Sequence, residues 1–103
     1  ELLRGAGMPP CPRALVVWLA EPERVRRECN LDGALVELLL SFPLFERRVL
    51  ALAHATTLST AQAAELLSDY HGSVSYNQVN NTRARKLDPV VREWAKRMKA
   101  TVA

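Results

Sequence analysis

At 103 residues the chain is long enough for one domain with its own core. Hydrophobic residues make up 49%, which argues against disorder, and no apolar run approaches the ~20 residues that span a bilayer. The net charge of +3 is mild but unevenly placed.

Residues 1–72 hold 7 Lys/Arg against 9 Asp/Glu, a net of −2, whereas residues 73–103 hold 7 against 2, a net of +5. Such asymmetry points to an acidic partner for the last third, nucleic acid first. The plainer reading is a solvated helical end. Cys11, Cys29, His54 and His71 stand singly, without the close pairing of a zinc site, so no metal or other cofactor is expected. The cysteines read as two free thiols in a reducing compartment, with a Cys11–Cys29 disulfide as the other arrangement. The first residues lack a basic region followed by an apolar core, so no secretory signal is read. An intracellular protein of cytoplasm or nucleoid/nucleus is the expectation. The missing initiator Met fits a piece of something longer.

Residues 1–12 hold two Gly and three Pro and read as a mobile lead-in. A helical domain is expected over 13–103, with N-terminal helices at 13–42 and a helix-turn-helix-like part at 43–103. The first helix, 13–20, carries Leu15, Val16, Trp18 and Leu19. Pro22 opens a second, 22–29, with Val25 and Cys29 toward the core. Asp32 caps a third, 32–42, where Leu35, Leu38, Leu39 and Phe42 fall at i, i+3, i+4 and i+7. Pro43 seeds a fourth, 44–55, with Phe45, Val49, Leu52 and Ala53 on one face and Arg47 and Arg48 elsewhere. His54 near its end suits the negative pole of the helix dipole.

Two further helices, 60–69 and 75–87, carry the same start signal. Ser59 precedes Gln62 by three residues, and Ser75 precedes Gln78 by three, so each serine and glutamine can form a reciprocal capping box. Asp88-Pro89 reads as the cap and first position of a last helix, 89–101. In it Val91, Trp94, Ala95, Met98 and Val102 face inward, and Arg92, Lys96, Arg97 and Lys99 face outward. The expected fold is all-α, a compact bundle of about six to seven short helices containing a helix-turn-helix-like pair.

No catalytic constellation stands out. The chain has no Gly-rich phosphate loop and no H-E-x-x-H, and Glu65 with Asp69 reads as a polar helix face. An enzyme is not expected.

Glu46-Arg-Arg-Val-Leu-Ala-Leu52, Leu58-Ser59, Ala63-Ala-Glu-Leu-Leu67 and Arg83-Ala-Arg-Lys-Leu87 together resemble the fourth region of bacterial sigma factors and related helix-turn-helix regulators. The resemblance covers residues 43–87. It implies two motif helices at close quarters, with Ala64 as the small residue between them, and a second helix that enters DNA. Ser68 stands where that family has its turn glycine, and the turn 68–73 is about two residues longer than the tight form.

On the second motif helix, Tyr76, Val79 and Leu87 are expected inward. Asn77, Asn81 and Arg85 then share the outer stripe, with Gln78 beside it. Asn and Gln can pair bidentately with adenine and Arg with guanine, so these four are the candidate base contacts. Arg47, Arg48, Lys86, Arg92 and Lys96 are the candidate phosphate contacts. The function read is a DNA-binding helix-turn-helix module, transcription-related, on double-stranded DNA and not on a membrane. The alternative is a helical protein–protein interaction module, adaptor or scaffold, with Leu2, Leu3 and Trp18 as apolar contacts unless Trp18 is core.

Overall fold

The computed structural model describes residues 7–102, with side chains to residue 96. Every regular element in it is helical. In chain order these are α1 (Pro12–Trp18), α2 (Pro22–Glu28), α3 (Gly33–Ser41), α4 (Leu44–Ala55), α5 (Thr60–His71) and α6 (Tyr76–Thr82); a π-turn (Arg83–Leu87) then leads into α7 (Asp88–Val102). The all-α bundle expected from the periodicities is the architecture found. No described helix is long and apolar enough to cross a membrane.

Prolines set several starts. Pro12 and Pro22 sit at the first positions of α1 and α2, where a missing N–H costs nothing. Asp32 caps α3 by accepting from Ala34 N at 2.9 Å. Met8 packs against the core, and a Cβ on Gly7 would collide with the Glu28 carbonyl. Residues 7 and 8 of the lead-in therefore lie against the body of the protein. Leu2 and Leu3 lie outside the described residues.

The core is one cluster drawn from all seven helices. Its largest fully buried members include Trp18, Trp94, Leu39, Leu50, Leu52 and Leu67. Trp18 is thus core, and its indole N–H donates to Glu28 Oε1 at 3.2 Å. The organising element is α4, which packs against α1, α5, α6 and the π-turn. Arg48, Val49, Leu50, Ala51 and Leu52 are all buried, so α4 is covered on several sides and not along one stripe.

Besides shifts of one or two residues at α1 and α3, two boundaries differ from those read in the sequence. The Asp88-Pro89 pair does not start a new helix. Asp88 already has helical torsions (φ −57°, ψ −43°), and its N–H donates to the Arg83 carbonyl five residues back. A proline at 89 cannot bond the carbonyl of residue 85 and crowds it. Widening the preceding turn to π geometry lets the helix continue without a break. The second difference is at α5, which runs on to His71 and ends at Gly72, with φ 80° and ψ −158°.

Leu39→Ala and Trp94→Ala are each expected to destabilise the fold by about 2–5 kcal/mol, because both side chains are fully enclosed; thermal melts at matched pH give the check. Gly72→Ala is expected to cost about 1–3 kcal/mol. Space beside Gly72 is open, so the cost is backbone strain alone, in a region essentially reserved for glycine. Chemical denaturation would show it as a lowered midpoint with an unchanged slope.

Candidate nucleic-acid interface

The pair α5–α6 begins with strong local signals. At α5 the capping box is complete: Ser59 Oγ accepts from Gln62 N at 3.1 Å, and the Gln62 side chain accepts from Ser59 N at 2.9 Å. At α6 only the serine half is present among the described residues, with Ser75 Oγ accepting from Gln78 N at 3.1 Å. The Gln78 side chain is exposed and makes no hydrogen bond of its own there. Val74 and Val79 stand at the two staple positions flanking this cap; Val79 is core, and the partly buried Val74 packs against it.

Ser68 explains how the longer turn holds its shape. Its hydroxyl donates to the Ala64 carbonyl at 2.8 Å, and its oxygen accepts from Val74 N at 3.1 Å. A side chain inside α5 thereby ties down the loop that leads into α6. Ala63 and Ala64 are buried between the helices, as close approach of α5 to its neighbours requires.

On α6 and the π-turn, Val79 and Leu87 point into the core, each 1% exposed. Tyr76 does not: it is 53% exposed, and Val74 fills the inner position instead. The correction has a local cause. Tyr76 is the first helical residue after the cap, and the buried stripe begins one turn later. Asn77, Gln78, Asn81 and Arg85 are all exposed. Among the described residues none of their side chains has a hydrogen bond or ion pair. Asn80 and Tyr76 join this surface, and the sequence reading had omitted both from the site. The run Tyr76-Asn-Gln-Val-Asn-Asn81 itself carried the signal, since one buried valine among polar neighbours leaves the rest outside.

The five candidate phosphate contacts divide. Arg92 and Lys96 are exposed on α7 and have no acidic partner among the described residues. Lys86 Nζ lies 2.8 Å from Glu46 Oε1, an ion pair that leaves Lys86 65% exposed. Such a surface pair is worth about 0–1 kcal/mol, so it yields readily to a competing anion.

Arg47 and Arg48 are not available at all. Arg47 donates through Nη1 to the Leu19 carbonyl at 2.7 Å and through Nη2 to the carbonyls of Leu40 and Phe42 at 2.9 and 3.1 Å. Arg48 is 6% exposed. Its Nε donates to the Val16 carbonyl at 3.0 Å, its Nη1 meets His71 Nε2 at 2.8 Å, and its guanidinium carbon lies 5.4 Å from the Tyr70 ring centre. The physical reason is the shortness of α1 and α3. Each ends in carbonyls with no helical partner, and those ends are packed onto α4. Two arginines at the negative ends of two helices satisfy them. Burial lowers both guanidinium pKa values.

The other described cations of the N-terminal half are also engaged. Arg13 pairs with Asp69 at 2.8 Å; Arg24 with Glu21 and Glu28; Arg26 with Glu23 and Glu37. Among the described residues, exposed positive charge without an acidic partner therefore collects on the π-turn and α7, at Arg85, Arg92 and Lys96, while the half-buried Arg83 donates to Thr60 Oγ1 at 3.4 Å. Arg97 and Lys99 have no described side chains.

His54 is half-buried. Burial first, then the nearby Arg83 charge, pulls its pKa down, which disfavours the charged form that the dipole at the end of α4 would suit. No three metal-ligating side chains gather among the described residues, and Cys11 and Cys29 are both free thiols. No family model matches the chain, and no curated protein or solved structure is significantly similar to it.

Arg48→Ala is expected to lower stability by about 1.5–3 kcal/mol, the worth of a charge-assisted bond to a buried carbonyl. Measured in the same buffers, the loss shows as a lower denaturation midpoint with native helicity kept below the transition.

Proposed function

We propose that this chain is a DNA-binding helix-turn-helix module, transcription-related, whose α6 and π-turn lie in the major groove of a duplex. The observation that carries the reading is the coincidence of two things on one surface. The amide side chains of Asn77, Gln78 and Asn81 and the guanidinium of Arg85 are exposed and, among the described residues, unpaired. The exposed cations without acidic partners among the described residues, Arg85, Arg92 and Lys96, follow on the same continuous helical run.

Amides pair with adenine edges and a guanidinium with guanine, so the first group supplies base readout. Lys96 and Arg92 supply sequence-independent attraction to phosphates, with Lys86 joining once Glu46 releases it. Tyr76, at the start of α6, adds a phenol that can donate to a phosphate oxygen. Arg47 and Arg48 are scaffold in this reading.

The second reading is a protein-interaction module. It rests on an open cleft of about 310 Å³ lined by Leu38, Pro89, Val90, Glu93 and Trp94. The Trp94 indole N–H, buried beside it, has no hydrogen-bond acceptor among the described residues. A partner's carbonyl and an apolar side chain would suit that cleft.

Fluorescence anisotropy with mixed-sequence duplexes at two salt concentrations separates the readings. Binding through phosphates weakens steeply as salt rises, while an apolar cleft is indifferent to it. Arg85→Ala is expected to relax base preference by about 1–3 kcal/mol. Lys96→Ala is expected to weaken binding to every duplex alike and to flatten the salt slope by about one charge. A folded wild type that binds no duplex at low salt overturns the proposal.

A further inference from the structure

His71 closes α5, and its ring is held from α4. Arg48 Nη1 lies 2.8 Å from Nε2, and the Phe45 ring meets the imidazole edge-on at a centroid distance of 5.2 Å. Arg48 is in turn fixed to α1 through the Val16 carbonyl. A guanidinium can only donate, so Nε2 must be the unprotonated, accepting nitrogen. The ring is therefore neutral with its hydrogen on Nδ1.

The other charged and titratable groups nearby do not relieve a second positive charge here. From α5 itself, Tyr70 faces Arg48 and Asp69 is engaged by Arg13 of α1 at 2.8 Å. From α4, Arg48 and the Phe45 ring meet the imidazole, the Arg47 cation stands beside Arg48, and Glu46 is engaged by Lys86 at 2.8 Å. Among the described residues no carboxylate bonds the imidazole.

We propose that Arg48 and His71 form a proton-operated latch, in which uptake of one solvent proton at Nε2 unfastens the end of α5 from α4. Protonation turns the acceptor into a donor and places two cations at hydrogen-bond distance. Arg48 is buried and tied to a carbonyl, so it stays. His71 is only half-buried and next to Gly72, so the ring leaves. Its departure loosens the turn of residues 72–75 that leads into α6. The inference stands whether or not the chain binds DNA.

Burial first, then the Arg48 charge, lowers the His71 pKa, and burial lowers that of His54. The folded state thus resists protons that the unfolded chain accepts. The stability these two rings contribute is complete above about pH 6.5 and is lost as pH falls from there through the folded-state values.

Nitrogen-detected NMR of the free protein tests the latch, with His54→Gln as background so that one imidazole remains. The expected result is an Nδ1–H tautomer at neutral pH and a His71 midpoint below about 6.5. Backbone amides near Val16 and across 72–75 should move with that same midpoint. In the double variant carrying His71→Gln as well, those amide shifts should vanish. An Nε2–H tautomer, a midpoint at or above 6.5, or a titration confined to the ring's own signals would overturn the proposal.

Discussion

Two adjacent arginines on α4 hold the ends of two short helices, and most of the architecture depends on that contact. α1 and α3 are seven and nine residues long, too short to be stable alone. Their terminal carbonyls are buried against α4, where an unmet acceptor is costly. Arg47 and Arg48 meet them with charged donors, and no carboxylate among the described residues bonds either one. The negative ends of the helices supply the compensating field. α4 is therefore a hub that reads α1 and α3 through Arg47 and α1 and α5 through Arg48.

From that hub the exposed surface follows. α5 lies against α4 through Ala63, Ala64 and Leu67, and its far end is fastened by the Arg48–His71 contact. Ser68 then ties the turn to α5, and Ser75 restarts the helix. With Val79 and Leu87 buried, geometry leaves Asn77, Asn81 and Arg85 outside. The π-turn keeps α6 and α7 in one run despite Pro89, so the polar stripe and the basic face of α7 are parts of one surface.

Much of this was legible in the residues. Heptad-like spacing of Leu35, Leu38 and Leu39 located α3, and the Ser59…Gln62 spacing located the start of α5. The inward turn of Arg47 and Arg48 was not legible. A charged residue on a helix is ordinarily solvated, and only the three-dimensional position of the α1 and α3 carbonyls reverses that expectation. Asp88-Pro89 misled for a related reason: a local start signal was overridden by a helix already in progress. Tyr76, expected inward on the phase of the second motif helix, is 53% exposed at the first position after the cap, while the partly buried Val74 packs against the core. The outward stripe at Asn77, Asn81 and Arg85 was readable because it needs only the phase set by Val79.

The scaffold turns the Arg47–Arg48 pair inward and leaves the Asn77–Arg85 stripe outside, where the proposed duplex would meet it. Adding a short mixed-sequence duplex at low salt to isotope-labelled protein, and following side-chain as well as backbone NMR signals, tests it directly. The account predicts shifts at the side-chain amides of Asn77 and Asn81 and at Arg85 Nε–H, with Arg48 Nε–H unmoved. Shifts centred on Arg48, shifts confined to the Leu38–Trp94 cleft, or no shifts at any residue would contradict it.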